Sequence, residues 1–193
     1  MSDPSTTAEY PDFDELLPVT WITAPHPATL PAVELTQQCD LRTQRRSGPG
    51  GQHRNKVSSG VFLTHRESGL VGEATERRSQ TQNRDVALTR LRFRLAVERR
   101  TKPGGATDME NEYQRIRSEY GRRSLKIAES NPDKPAVLTI LLDDLHLAGG
   151  QPSLVAPDWS TSTSAIVALL KSHPPALEWI NKVRAHHKRL PLR

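Results

Sequence analysis

The sequence predicts an α+β protein: a small β-sheet packed by one helix, with a protruding glycine-rich loop, followed by a C-terminal helical region forming a small three-helix bundle. Three observations predict it. Alternating apolar and polar residues stand on both sides of Ser47-Gly48-Pro49-Gly50-Gly51-Gln52, the pattern of strands joined by a loop. Ser79 precedes Gln82 by three residues at the head of a leucine-periodic, arginine-rich stretch, the spacing of a helix N-terminus. Beyond Lys102-Pro103-Gly104-Gly105, apolar segments separated by Gly, Pro and Ser read as short helices.

Along the chain, residues 1–32 are acidic and Pro-rich, with Trp21 but no sustained period, and read as a flexible or loosely docked arm without catalytic residues. Residues 33–102 form the sheet-and-helix domain. Cys39, Leu41 and Thr43 alternate with Asp40 and Arg42, predicting a half-buried strand that leads into the glycine loop. After the loop, Val57, Ser59, Val61 and Leu63 reach the turn Ser68-Gly69, and residues 70–75 return as the second arm of a β-hairpin. The loop therefore projects from the sheet edge. A helix is expected over residues 81–99, with Leu88, Leu91 and Leu95 covering the sheet and Arg84, Arg90, Arg92, Arg94 and Arg99 on the remaining surface.

Residues 103–134 read as a charged linker and helix. Tyr113, Ile116, Tyr120, Leu125 and Ile127 are too scattered for a core stripe, so this helix is expected to be exposed and broken near Gly121. Residues 135–193 supply the bundle: an apolar helix over 136–147, a second over 165–172 with N-caps available in 160–164, and a last one opened by Pro174-Pro175. The end is basic, with Lys182, Arg184, Lys188, Arg189 and Arg193.

Composition narrows the function classes. The 193 residues are 25% charged and 35% hydrophobic, and no stretch approaches the apolar length of a membrane span. Neither a signal peptide nor an Arg-rich transit peptide is visible, so a cytoplasmic protein without a membrane partner is expected. Cys39 stands alone and fits a half-buried strand position better than a disulfide or a metal site. Asp143-Asp144 reads as a solvated helix face. No metal and no cofactor is implied. Charge is divided unevenly: residues 1–41 hold seven acidic and no Lys or Arg residues, 42–102 hold fifteen basic and five acidic, and 103–193 hold twelve and ten, giving nets of −7, +10 and +2. The positive field is thus centred on the loop-bearing segment, which suits a phosphate-rich environment.

Gly50 and Gly51 lack a Cβ, so the main chain there approaches a substrate closely, with Gln52 as the reactive contact. His53 has no carboxylate or serine placed by the sequence to orient it as a base, and the Gly-Lys-Ser or Gly-Lys-Thr ending of a phosphate loop is missing. A second Gly149-Gly150-Gln151 lacks the Ser-Gly-Pro lead and the Asn-Lys exit, and reads as a helix-ending loop with no catalytic role.

The first of these runs resembles the GGQ loop of class I peptide chain release factors. The likeness extends over about residues 35–97: the approach Arg45-Arg46-Ser47, the loop, Asn55-Lys56 entering a strand, the turn Ser68-Gly69, and Arg78-Ser79-Gln80 with Asn83-Arg84. The resemblance implies hydrolysis of the ester between a nascent peptide and tRNA on the ribosome. Gly50, Gly51 and Gln52 are then catalytic, with the Gln52 backbone N–H stabilising developing charge and its side chain orienting water. Arg45, Arg46, Arg54, Lys56, Arg78 and Arg84 become contacts to ribosomal RNA or tRNA, and Ser47, Gly48, Pro49, Asn55 and Ser79 shape the loop and its support. The forty-odd residues ahead of the loop are too few for a codon-reading region, so the expectation is a monomeric, codon-independent peptidyl-tRNA hydrolase that rescues stalled ribosomes. Two alternatives stand beside it: a noncatalytic RNA-binding protein with a retained GGQ fold, and a helix-turn-helix DNA-binding regulator using residues 163–171 as its second helix.

Overall fold

A computed structural model describes residues 9–45, 59–103 and 107–193. Its elements run β1 (Trp21–Ile22), α1 (Ala32–Gln37), β2 (Cys39–Gln44), β3 (Gly60–His65), β4 (Val71–Ala74), α2 (Gln80–Glu98), β5 (Arg100–Thr101), α3 (Thr107–Arg122), α4 (Lys134–Leu147), α5 (Pro152–Val155), α6 (Thr163–Lys171) and α7 (Pro174–His186). The architecture is α+β, with a small antiparallel sheet packed on α2 and helices after it.

The three-stranded sheet has the order β2-β3-β4, with Cys39 opposite His65 and Gln44 opposite Gly60 in the first ladder and Val61 opposite Ala74 in the second. Val61, Leu63, Leu70 and Ala74 point to one face and meet Ala87, Leu91 and Leu95 of α2 in a closed core. Truncating a side chain such as Leu91 in a core of this kind costs about 2–5 kcal/mol. The expected alternation in β2 is not what forms: Cys39 is its one buried residue, and Leu41 is 50% exposed. The reason is lateral. Helix α2 packs against β3 and β4, leaving most of the edge strand uncovered, so alternation there has no core to face.

A second core surrounds α4, whose Val137, Leu138, Ile140, Leu141, Leu142 and Leu145 are all fully buried. A helix apolar on nearly every side is stable only at the centre of a unit. Helices α3, α5, α6 and α7 supply its surroundings through Ile116, Val155, Ile166 and Ile180. Phe93 and Val97 on the other face of α2 also pack on this core, so α2 lies between the sheet and the helical unit. The exposed helix expected over residues 112–129 is corrected by Tyr113, Ile116, Tyr120 and Leu125, which are buried. Their spacing looked scattered because the helix ends at Arg122 and Leu125 reaches the core from a turn with φ +53°.

The N-terminal stretch is held more closely than its composition suggests. β1 pairs in parallel with β5, the His26 backbone N–H donates to the Tyr113 hydroxyl (3.3 Å), and Arg92 donates to the carbonyls of Ala28 (3.2 Å) and Leu30 (2.8 Å). Main-chain pairing and arginine–carbonyl bonds require no amphipathic period, so the pattern of residues 9–31 carried no sign of them. Among the described residues no helix is long and apolar enough to cross a membrane.

Candidate functional site

The ladder between β2 and β3 closes with Gln44 opposite Gly60, and the connection between them contains the glycine run. Arg46, Ser47, Gly48, Pro49, Gly50, Gly51, Gln52, Arg54, Asn55 and Lys56 lie outside the described residues. Arg45, Arg78, Ser79 and Arg84 are described, and all four are exposed. What the structure defines is therefore the base on which the loop stands.

Asn83 organises that base. Its side chain is fully buried on the first turn of α2, where Nδ2 donates to the carbonyls of Ser59 (2.5 Å) and Arg77 (2.9 Å) and Oδ1 accepts from the Arg77 N–H (2.9 Å). Ser59 is the first described residue after the glycine segment, so one side chain joins the loop exit, the turn before α2 and the helix itself. Ser79 caps the same helix, its Oγ accepting from the Gln82 N–H (3.3 Å), which satisfies an otherwise unpaired helix donor. The resemblance matched Asn83 only as part of the segment that opens the helix. The buried, three-bonded role depends on the approach of Ser59 from across the sheet, which no local spacing encodes.

Tertiary contacts also sort the arginines. Arg90 bonds Glu76 and the Glu73 carbonyl, Arg94 bonds Glu98 and the Val71 carbonyl, and Arg99 bonds the Ser68 carbonyl. With Arg92 on Ala28 and Leu30, these four hold the molecule together. By contrast, the guanidinium groups of Arg45, Arg77, Arg78 and Arg84 have no hydrogen-bond or ion-pair partner among the described residues. Their backbones converge through the Gln44–Gly60 pair and the Asn83 clamp at the loop-bearing end. Arg77 was not singled out from the sequence. Its only local signal is its place beside Arg78.

Other candidates resolve differently. Among the described residues no group of three or more His, Cys, Asp or Glu could hold a metal ion. Cys39 is buried, donates from Sγ to the Leu35 carbonyl (3.1 Å), and burial pushes its thiol up to about 11, so it stays protonated at neutral pH. Asp143 and Asp144 do not form a solvated face. Asp143 pairs with Arg100 (3.0 Å), itself 1% exposed and stacked over Trp179 (4.4 Å), while Asp144 takes Arg117 (2.7 Å) and the Trp159 indole N–H (2.7 Å). The partners come from elsewhere in the chain: Arg100 from β5, Arg117 from α3 and Trp159 from the turn after α5.

The second glycine pair ends α4. Gly149 and Gly150 have φ of +58° and +73°, and the Gly150 N–H returns to the Leu145 carbonyl (2.7 Å), a C-terminal cap that favours glycine. Gln151 is committed to the Glu9 carbonyl (3.2 Å) and the Ala148 carbonyl (3.3 Å).

The RF-1 domain family matches residues 32–133, just over half of the chain. Peptide chain release factor 2 of Acidovorax sp. (strain JS42) is 55% identical over 58 residues, covering 29% of this chain and 16% of that protein. Peptide chain release factor 1-like, mitochondrial, of Rattus norvegicus is 38% identical over 71 residues, covering 37% of this chain and 19% of that protein. The chain thus spans less than a fifth of the length of these curated relatives. No solved structure matches it.

Proposed function

The chain belongs to the RF-1 domain family, and on that premise we propose that it hydrolyses the peptidyl-tRNA ester in the ribosomal peptidyl-transferase centre without reading a codon. The family catalyses ribosome-dependent peptidyl-tRNA hydrolysis. The observation that carries the reading is the placement of the Gly50-Gly51-Gln52 segment, inside the matched residues, between the last rung of the β2–β3 ladder and the Asn83 clamp.

In this mechanism the loop enters an RNA-lined cavity with Arg45, Arg77, Arg78 and Arg84 at its base to meet phosphates, joined by Arg46, Arg54 and Lys56 from the loop itself. Gly50 and Gly51 bring the main chain against the ester. Water attacks the carbonyl carbon, the bond to the ribose oxygen breaks, and that oxygen takes up a proton as the peptide leaves as an acid. The Gln52 backbone N–H stabilises negative charge on the departing oxygen, and its side chain positions the water. This needs a donor at a fixed position more than a titrating base, which makes a rigid base for the loop part of the chemistry.

Codon independence is the finer part of this proposal; residues 9–31 pair with β5 and contact α2 and α4, and those after 133 build the helical unit. The reading is tested by peptide release from ribosomes stalled on mRNA lacking a stop codon. Wild type is expected to release peptide, and Gly51→Ala to lose about 10²–10³-fold in rate while still binding ribosomes, the scale of a displaced oxyanion donor. Gln52→Ala keeps the backbone N–H and is expected to lose less, through the water-positioning side chain alone. A folded wild type that releases nothing from stalled ribosomes or from peptidyl-tRNA-bearing large subunits sinks the proposal in favour of noncatalytic RNA binding.

A further inference from the structure

The four-residue helix α5, the outer face of α6 and the chain following α7 enclose an open groove of about 650 Å³. Lys171, Arg184, Arg189 and Arg193 line it, and no acidic side chain does. Ser153, Thr163 and Ser164 add hydroxyl donors, and Val167, Ala168 and Leu192 add an apolar floor. We infer that this groove binds the phosphate backbone of single-stranded RNA, a second contact separate from the loop-bearing end.

Arg184 donates to the carbonyls of Gly150 (2.5 Å) and Leu190 (2.6 Å), and Arg189 donates to the carbonyl of Gly149 (2.9 Å). These bonds orient each guanidinium through neutral oxygens, so neither charge is cancelled and each fork keeps further N–H donors. Among the described residues none of the four cations pairs with a carboxylate. Lys182 on the same helix α7 is different, since it pairs with Glu178 (2.9 Å). Four unneutralised cations converging on one groove repel each other unless an anion joins them, and a polyanion with regularly spaced phosphates meets several at once. The apolar floor suits ribose and base faces, which a free inorganic anion would not use. An acidic peptide would satisfy the same charges, and the choice of RNA rests on the ribosome-associated reading above.

The test uses the full chain and a fluorescein-labelled oligouridylate of about 12 nucleotides, within the usual span of a single-strand site. Anisotropy is followed over a series of salt concentrations. Lys171→Glu/Arg193→Glu alters two exposed side chains that make no internal bond among the described residues. The reversal is expected to weaken binding about tenfold or more and to make the log Kd–log salt slope shallower by about 1.4, at about 0.7 per lost phosphate contact. Lys171→Arg/Arg193→Lys is expected to retain both. Unchanged RNA affinity in the reversal variant, with its thermal melt intact, overturns the inference. So does loss of poly-glutamate binding without loss of RNA binding, which reassigns the groove to an acidic protein. Peptide release by the wild type is measured in parallel. Groove-dependent RNA binding without release sinks the hydrolase reading and leaves the groove. Release with groove-independent RNA binding sinks the groove alone.

Discussion

Asn83 Nδ2 lies 2.5 Å from the carbonyl oxygen of Ser59, so a fully buried amide at the start of α2 holds the residue where the chain leaves the glycine segment. The same amide also bonds both main-chain groups of Arg77. If catalysis depends on where a backbone donor sits, this clamp is the contact through which the fold controls it.

Asn83→Ala removes all three bonds and leaves the buried Ser59 carbonyl unpaired, at about 1–3 kcal/mol, with a smaller loss from the part-buried Arg77 groups. Urea unfolding is expected to show a loss of about 2–4 kcal/mol. In the folded fraction, peptide release should fall in its maximal rate more than in ribosome affinity. Equal losses in both would show that the clamp serves folding alone.

Arg78→Glu/Arg84→Glu changes two exposed guanidinium groups without breaking a bond among the described residues. Ribosome affinity is expected to drop by about tenfold or more and its salt dependence to lessen, since each lost phosphate contact removes a released counterion. Arg90→Ala should instead lower stability, because Arg90 holds Glu76 and the Glu73 carbonyl. Pelleting with ribosomes at two salt concentrations, beside thermal melts, separates the two kinds of arginine.

Gly121→Ala places a Cβ 1.7 Å from the Trp159 carbonyl oxygen, a main-chain atom that has no rotamer to escape into. The α3 end and the turn after α5 must separate, at a cost on the scale of overpacking, about 1–3 kcal/mol or more. A melting temperature equal to that of wild type would show that this approach is looser than the geometry requires.

Acid should unfold the protein through two buried histidines. Burial lowers His26 to about 3, with the Arg100 and His65 charges acting in the same direction, and lowers His146 to about 4, with Arg100, His187 and His186 adding to the effect. Among the described residues neither ring nitrogen of His146 has a hydrogen-bond partner, and the ring lies between Trp21 (5.5 Å) and Trp179 (5.6 Å). Both folded pKa values lie below the unfolded value of about 6.5, so the stabilisation is complete above that pH and is lost as pH falls toward 4 and then 3. Each histidine contributes a slope of about 1.4 kcal/mol per pH unit between about 6 and 4. His146→Phe is expected to remove its share of this slope when urea midpoints at pH 7 and pH 5 are compared. An unaltered slope would show that His146 is charged in the folded protein.

Much of this was legible in the residues because it is local. The Ser79 cap, the α2 leucines, the Ser68-Gly69 turn and the Gly149-Gly150 helix end each follow from backbone geometry within a few positions. The buried face of α3 was not legible, since Leu125 enters the core from a turn and breaks the helical period. Leu41 erred in the opposite sense: it alternates like a core residue, but α2 does not reach beneath β2.

The sequence by itself determined the fold class, the position of the glycine loop between two strands and the concentration of positive charge around it, because turns, periods and charge are properties of neighbouring residues. Tertiary structure alone decided which arginines are free. Arg90, Arg92, Arg94 and Arg99 are drawn into carbonyls and carboxylates brought close by folding, whereas Arg45, Arg77, Arg78 and Arg84 meet none among the described residues. Whether a cation is committed or available depends on what lies within about 3 Å of it, and chain spacing does not carry that distance.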